Sequence, residues 1–334
     1  MLVTMLARSL CLTFHSPNQR IQPRDGKARN LLRQVFCWIY NCMKSIFKYS
    51  WKDTFLILQI VLAIAAVFAM AVIDTPLGWL IITAPFHIML IVCIQNSSLH
   101  HHTHWPTFNQ KFLNQAYELL IASASGVLPQ SYRISHSIHH KYVNDLPING
   151  LSQDRISVFG HGVNGQVENV WKFCYRIAQQ TFTRPWKYVF YQMWQSTRPK
   201  TPMMNFVLWR REQFAIVGFF LAVILINFTY GLWLLFVIYS LAHFVNYSWH
   251  YGEHYGAYHY RGDTTQDSVG IYNRWYNVLC FNAGYHQEHH HRPGVHWTRQ
   301  PEITKLLPPT RITTNGMHIT NVPWLAHLKL LLKH

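Results

Sequence analysis

The chain has 334 residues, half of them apolar, 15% aromatic and only 13% charged. Soluble domains carry about 25% charged residues, so an ordinary water-soluble globule is excluded and much of the surface is expected to face lipid. The formal charge of +16 raises nucleic-acid binding, but no reading motif accompanies it, and six cysteines without a C-x-x-C pair exclude a fused rubredoxin-type site and offer no disulfide framework.

The chain opens on a basic, mixed segment, 1–53, whose apolar start carries only Arg8. No charged lead, apolar run and small-residue cleavage site follow in order there, so no signal peptide is read. The segment is expected to be partly disordered or interfacial. Within it, 31–49 is aromatic on one side and basic on the other, the pattern of a helix lying in the interface. Residues 54–73 (TFLILQIVLAIAAVFAMAVI) are uncharged and long enough to span a bilayer. Asp74-Thr-Pro-Leu-Gly breaks the run, and 79–94 returns. A weaker segment, 112–128, contains Glu118 and reads as a short re-entrant or interfacial helix. Segments 214–228 and 231–247 form a second pair, joined at Thr229-Tyr230. The tail, 306–334, carries an amphipathic pattern at 324–333.

Lys and Arg occur up to Lys52, at Lys111 and Arg133, over 141–211 and over 261–333, but not at the tips 74–78 and 229–231. Positive residues stay on the cytoplasmic side. The expected fold is therefore all-α and integral to the membrane: four transmembrane helices as two hairpins, with interfacial helices and a cytoplasmic histidine-rich cap. Spans and cap make one domain, 54–305. Both termini and the histidine clusters are expected on the cytoplasmic side.

Histidine is the anomaly, with 22 residues against 13 Asp plus Glu. In His100-His-His-Thr-His104-Trp-Pro, His100 and His104 are spaced i, i+4 and share a helical face, while His101 and His102 point elsewhere on the turn. His136-Ser-Ile-His139-His140 puts i, i+3 and i+4 on one stripe. His286-Gln-Glu-His289-His290-His291 repeats that spacing, and Pro293 closes it. A fourth element ends the last span, where Asn246 and His250 are again i, i+4. Polar groups there are costly and mark function. One such cluster is weak evidence, because a helical H-x-x-H-H arises by chance; three with a fourth on one membrane face point to metal. A structural zinc site has no use for so many imidazoles. The inventory fits two metal ions, each with several nitrogen ligands and open positions for O₂. Soluble di-iron bundles use two E-x-x-H motifs; only Glu288 with His291 has that spacing, and H-E-x-x-H is absent. His15, His87, His161, His318, His327 and His334 are isolated and read as ordinary. His254 and His259 read as partners orienting ligands, and His243 as a reserve ligand.

In this order, around two hairpins, H-x-x-x-H, H-x-x-H-H and H-x-x-H-H resemble the membrane fatty acid desaturase superfamily. The resemblance covers roughly 75–305. Tyr285-His-Gln-Glu-His-His, with Arg292-Pro-Gly-Val-His-Trp297 and Pro301-Glu302, is similar to the third box of bacterial desaturases. The resemblance implies two non-haem iron ions with O₂ as co-substrate. Its ligands would be His100 and His104, His136, His139 and His140, and His286, His289 and His290. Asn246-Tyr-Ser-Trp-His250-Tyr-Gly looks like the N-x-x-x-H ligand motif of stearoyl-CoA desaturases, where the His binds iron and the Asn holds an iron-bound water. It also resembles a signature of membrane alkane hydroxylases. The implied enzyme is an O₂-dependent fatty-acyl desaturase. A fatty acid or alkane hydroxylase and a terminal-alkene-forming decarboxylase are the alternatives on this scaffold, and a non-catalytic membrane metal-binding protein is the alternative of another class. Transporter sites lie near the bilayer midplane, whereas these clusters sit at one face. No flavin-binding, cytochrome b5-like or Cys-rich segment is present, so electrons are expected from an external ferredoxin- or rubredoxin-type donor with its reductase. The basic stretch 141–212 would steer such a donor or meet anionic headgroups.

Overall fold

The structure is a computed structural model that describes residues 34–35, 44–146, 152–159, 167–186, 205–255, 257 and 264–307. The helix expected over 31–49 falls largely outside these residues, and the one expected over 324–333 wholly so. The chain divides into two units, Met1–Trp51 and Lys52–His334. The first is described only in short pieces, among them a helical turn at 44–46. The second carries all that follows, and among its described residues the regular elements are helices joined by turns and loops.

Helix α1, Asp53–Val72, buries Leu56, Ile60, Ala63, Val67 and Ala71, one stripe at helical spacing. Its other faces are equally apolar yet exposed, Leu62 to 58%. An all-round apolar helix of this length, about 30 Å, matches the hydrocarbon core of a bilayer. A tight turn with Asp74 at φ 53° leads into α2, Leu77–His104. Gln95–Leu99 within α2 form a π-helical turn, which re-phases the residues after it and so aims the first histidines. Helix α2 stops at Trp105, whose backbone is extended ahead of Pro106.

Helix α3, Lys111–Ser125, ends on Gly126 at φ 69°. A Cβ there would lie 2.7 Å from the Tyr239 ring and the backbone is left-handed, so glycine is required. Helices α4, Pro129–Tyr142, and α5, Val170–Trp186, follow. Helix α6, Phe206–Ile226, is capped by the Asn205 side chain, which accepts from Leu208 N. Asn227 then caps α7, Phe228–His254, and also donates to Asp74 Oδ1 at 2.7 Å, tying the two hairpin tips together. The second turn thus falls at Asn227 rather than at 229–230, because Asn both ends one helix and starts the next.

Among the described residues, three helices are long and apolar enough to cross a membrane: α1, α2 and α7. Helix α6 contains most of the expected span 214–228, but it carries Arg210, Arg211 and Glu212 in its second turn. Its apolar part is 13 residues, about 20 Å.

The core joins α1 and α2 to α6 and α7 through Val67, Ala71, Val92, Phe220, Val223 and Leu234. Large apolar side chains remain exposed around it, including Leu225 (85%) and Phe86 (77%). In water such a surface is a liability; against lipid it carries no penalty. A polar clamp holds the site's helices at one end. Glu118 of α3 accepts from Arg133 (2.6 Å) and Gln130 (2.7 Å) of α4, and Glu212 of α6 accepts from Gln130 N at 3.1 Å. Burial alone would raise the Glu118 carboxyl, but His102 and the Arg133 guanidinium more than offset that and hold it well below its ordinary range. Two short helices, α8 (Arg274–Leu279) and α9 (His286–His291), complete the cap.

Candidate metal centre

Four helix ends converge. The end of α2 brings His100 and His104, α4 brings His136, His139 and His140, α9 brings His286, His289 and His290, and the end of α7 brings His254. The nine imidazoles fall into two sets. His100, His104, His136, His140 and His289 form one; His139, His254, His286 and His290 form the other. Within each set the ligand atoms lie within 4.8 Å of one another.

In the first set the Nε2–Nε2 distances are 3.0 Å for His100–His289, 2.8 Å for His104–His136, 3.0 Å for His136–His140 and 3.1 Å for His140–His289. In the second set they are 3.1 Å for His254–His286 and 3.3 Å for His139–His290. A transition metal with bonds of about 2.1 Å puts neighbouring donors about 3.0 Å apart at right angles and about 3.4 Å apart in a tetrahedron. The spacings match the edges of such a coordination polyhedron. The two sets abut, since the rings of His140 and His290 stack at 4.3 Å.

Electrostatics supports the same use. His136, His140, His286, His289 and His290 are held well below the ordinary histidine range, first by burial and then by repulsion from neighbouring imidazoles. Neutral imidazoles keep a lone pair for a metal, and a buried cluster of them is stabilised by a shared cation. Two members have their tautomer set from outside. His139 Nδ1 donates to Asp154 Oδ2 at 2.9 Å, and His254 Nδ1 donates to the Asp267 carbonyl at 3.1 Å. Both arrangements leave Nε2 as the acceptor facing inward.

No carboxylate belongs to either set among the described residues. Glu288 lies between the ligands of α9 in sequence, yet it turns outward to Tyr272 Oη (3.0 Å) and Thr304 Oγ1 (2.6 Å). Glu253 Oε2 stands 3.8 Å from His286 Nε2. The donors are thus all nitrogen, a set suited to iron, zinc, copper or nickel rather than to magnesium or calcium.

All eight histidines of the three boxes lie in the two sets. His101 and His102 face away, as their helical phase requires: His101 Nε2 donates to the Phe281 carbonyl, and His102 meets Thr107 and Glu118. Asn246 accepts from Asn96 Nδ2 at 2.7 Å. His250 lies beside the second set, and His243 contacts Gln95 deeper in α7. The residue brought into the set from α7 is His254. It is i+4 from His250, so both sit on one stripe of α7. Asp154 left no signal in the sequence. It is held by its own loop, where Asp145 accepts from Asp154 N and Asn144 donates to the His254 carbonyl. Removing it with Asp154→Ala is expected to weaken metal affinity about 10- to 100-fold, measured by competition with a chelator; unchanged affinity would show that the His139 tautomer is set elsewhere.

An all-helical bundle with apolar spans and two histidine sets at the helix ends has the make-up of a membrane protein able to hold metal ions. The sequence model of one family, fatty acid desaturase, matches residues 76–320, well over half of the chain. The chain belongs to the fatty acid desaturase family. Membership carries with it an oxidoreductase activity, a fatty-acyl substrate and a place in the membrane. No curated protein and no solved structure matches the chain.

Proposed function

We propose that this protein is an O₂-dependent fatty-acyl desaturase with two iron ions, one in each histidine set. The observation that carries the reading is the convergence of nine imidazoles into two adjacent sets in a chain of the desaturase family. His100, His104, His136, His140 and His289 hold one ion; His139, His254, His286 and His290 hold the other. When bound, the metals supply O₂ activation strong enough to break an unactivated C–H bond. The overall change takes two hydrogens from adjacent methylenes, two electrons and two protons, and reduces O₂ to two waters. The side chains do the rest. Burial keeps the imidazoles neutral, Asp154 and the Asp267 carbonyl orient their rings, and the enclosed second set excludes bulk water.

The same reading places four spans in two hairpins, with α6 as the fourth, and puts the termini and the centre on the cytoplasmic side. Charge asymmetry of the loops supports this. The 54–305 segment acts as one domain, with the basic N-terminal segment, 1–53, and the C-terminal tail, 306–334, outside it. Electrons come from an external ferredoxin- or rubredoxin-type donor with its reductase. Lipid profiling by mass spectrometry of cells expressing the chain tests the proposal. Acyl chains lighter by two hydrogens are expected, dependent on O₂. Chains heavier by one oxygen would make it a hydroxylase, a volatile terminal alkene a decarboxylase, and an unchanged profile with bound iron a non-catalytic metal protein.

A further inference from the structure

The turn that leads into the third box touches α2 at two points. One is the hydrogen bond from His101 Nε2 to the Phe281 carbonyl. The other is a pair of thiols. Cys93 Sγ of α2 and Cys280 Sγ, just past the end of α8, share a hydrogen bond at 2.8 Å across 187 positions of the chain. Both cysteines are free and buried, in the core cluster that also holds Val92, Tyr276 and Ala283. Each stands at the root of a segment that carries ligands. Cys93 precedes the π turn that aims His100. The Cys280 carbonyl accepts from Ala283 N at 3.0 Å and so opens the turn that ends at His286. No cysteine joins either histidine set among the described residues, so the pair has a place of its own.

The contact of 2.8 Å is only about 0.8 Å longer than an S–S bond. Two sulfurs so placed can bond with little movement of the segments that carry them. Burial, and then the hydrogen bond with Cys93, hold the Cys280 thiol well above its ordinary range. Exchange with bulky thiols and disulfides in solution is thereby suppressed, and access is left to a small neutral oxidant.

We propose that Cys93 and Cys280 form an oxidation site, at which hydrogen peroxide converts the two thiols to a disulfide that pins the third box to α2. Cys93, 7% exposed against 1% for Cys280, meets the oxidant first. Its sulfur attacks one peroxide oxygen, the O–O bond breaks, and the products are a sulfenic acid and one water. Cys280 Sγ, already in contact, attacks the sulfenic sulfur. The S–O bond breaks, the S–S bond forms, and the leaving hydroxyl takes the thiol proton as a second water. Two electrons pass from the two sulfurs to one peroxide. The adjacent thiol also captures the sulfenic acid before it is oxidised further, a protection that a solitary cysteine lacks. Cys174, buried in a separate cluster, is the comparison within the chain. A cross-link across 187 positions is of the long-loop kind that restricts a chain most.

The full chain in detergent, with and without hydrogen peroxide, tests the proposal in wild type, Cys93→Ser, Cys280→Ser and the double variant Cys93→Ala with Cys280→Ala. After quenching, remaining thiols are alkylated under denaturing conditions and the digested chain is mapped by mass spectrometry. The expected result in wild type is a peptide pair joined through Cys93 and Cys280, lighter by two hydrogens than its separate parts, with Cys174 still alkylated. Neither single variant should give that pair, and the thiol left behind should go on to sulfinic acid. In oxidised wild type, amide hydrogen exchange over 281–291 should slow at least about 10-fold, and peroxide should not slow it in the variants. Alkylation of both Cys93 and Cys280 after peroxide, or their linkage to other cysteines instead, would overturn the oxidation site. A Cys93–Cys280 link that leaves exchange over 281–291 unchanged would overturn the pinning. None of these readouts needs a bound metal, so they stand apart from any failure of the metal-centre reading above.

Discussion

His289→Ala is expected to empty the five-histidine set. His289 Nε2 stands 3.0 Å from His100 Nε2 and 3.1 Å from His140 Nε2, and its ring centroid is 4.4 Å from that of His104. It is the single residue of α9 in a set otherwise built by α2 and α4. Alanine would leave four imidazoles, those of His100 and His136 buried and those of His104 and His140 partly so, facing a gap with no donor on one side, and would cut the link between the third box and the first two. The expected outcome is loss of about one metal equivalent per chain, because binding of a metal at such a site depends on the full donor count. The fatty-acyl oxidation proposed above should fall below detection. His291→Ala is the control. His291 belongs to the same run of histidines but turns to Thr264 Oγ1 at 2.9 Å and joins neither set. Full metal content in His289→Ala would show that the two sets are not the binding sites.

Gly284→Ala is expected to abolish assembly of the third box. A Cβ at Gly284 would lie 2.2 Å from the Ile271 carbonyl oxygen, 2.7 Å from Asn277 Oδ1 and 2.9 Å from the Tyr276 ring. Two of these neighbours cannot move freely. Asn277 Oδ1 accepts from Gly284 N at 3.0 Å, and Ile271 N donates back to the Gly284 carbonyl at 2.6 Å. Any shift breaks the strap that leads into His286. Phe281 and Asn282, at φ 50° and 62°, already place two left-handed residues in this turn, so little slack remains. Overpacking against backbone costs about 1–3 kcal/mol or more. Here it also displaces ligands of both sets, because α9 supplies His286 and His290 to one and His289 to the other. A lower thermal midpoint in detergent and loss of metal from both sets are expected. Gly294→Ala, where nothing lies within 4 Å of the added Cβ, should behave as wild type. A metal-replete Gly284→Ala protein would show that the turn is not the support of the box.

Three of the four expected spans and the histidine boxes were legible in the sequence. A bilayer demands about 20 apolar residues, and α1 answers with an uncharged run. The spacings H-x-x-x-H and H-x-x-H-H are local geometry: a helix puts i, i+3 and i+4 on one stripe, so α4 and α9 present their imidazoles together wherever they are packed. The outward turn of His101 and His102 follows from the same phase. The helix boundary at Asn227 was missed by two residues, since one Asn serves as the end of α6 and the cap of α7.

Other features depend on contacts between residues far apart in the chain. The division of nine histidines into sets of five and four is one. His289 reaches His100 across 189 positions, and His290 reaches His139 across 151. The π turn that aims His100, the admission of His254 in place of His250, and the carboxylate of Asp154 behind His139 are of the same kind. Helical periodicity fixes which side chains share a face, because it is set by backbone hydrogen bonds four residues apart. Which faces meet depends on how apolar stripes of separate helices pack, and that is settled only when the whole bundle closes.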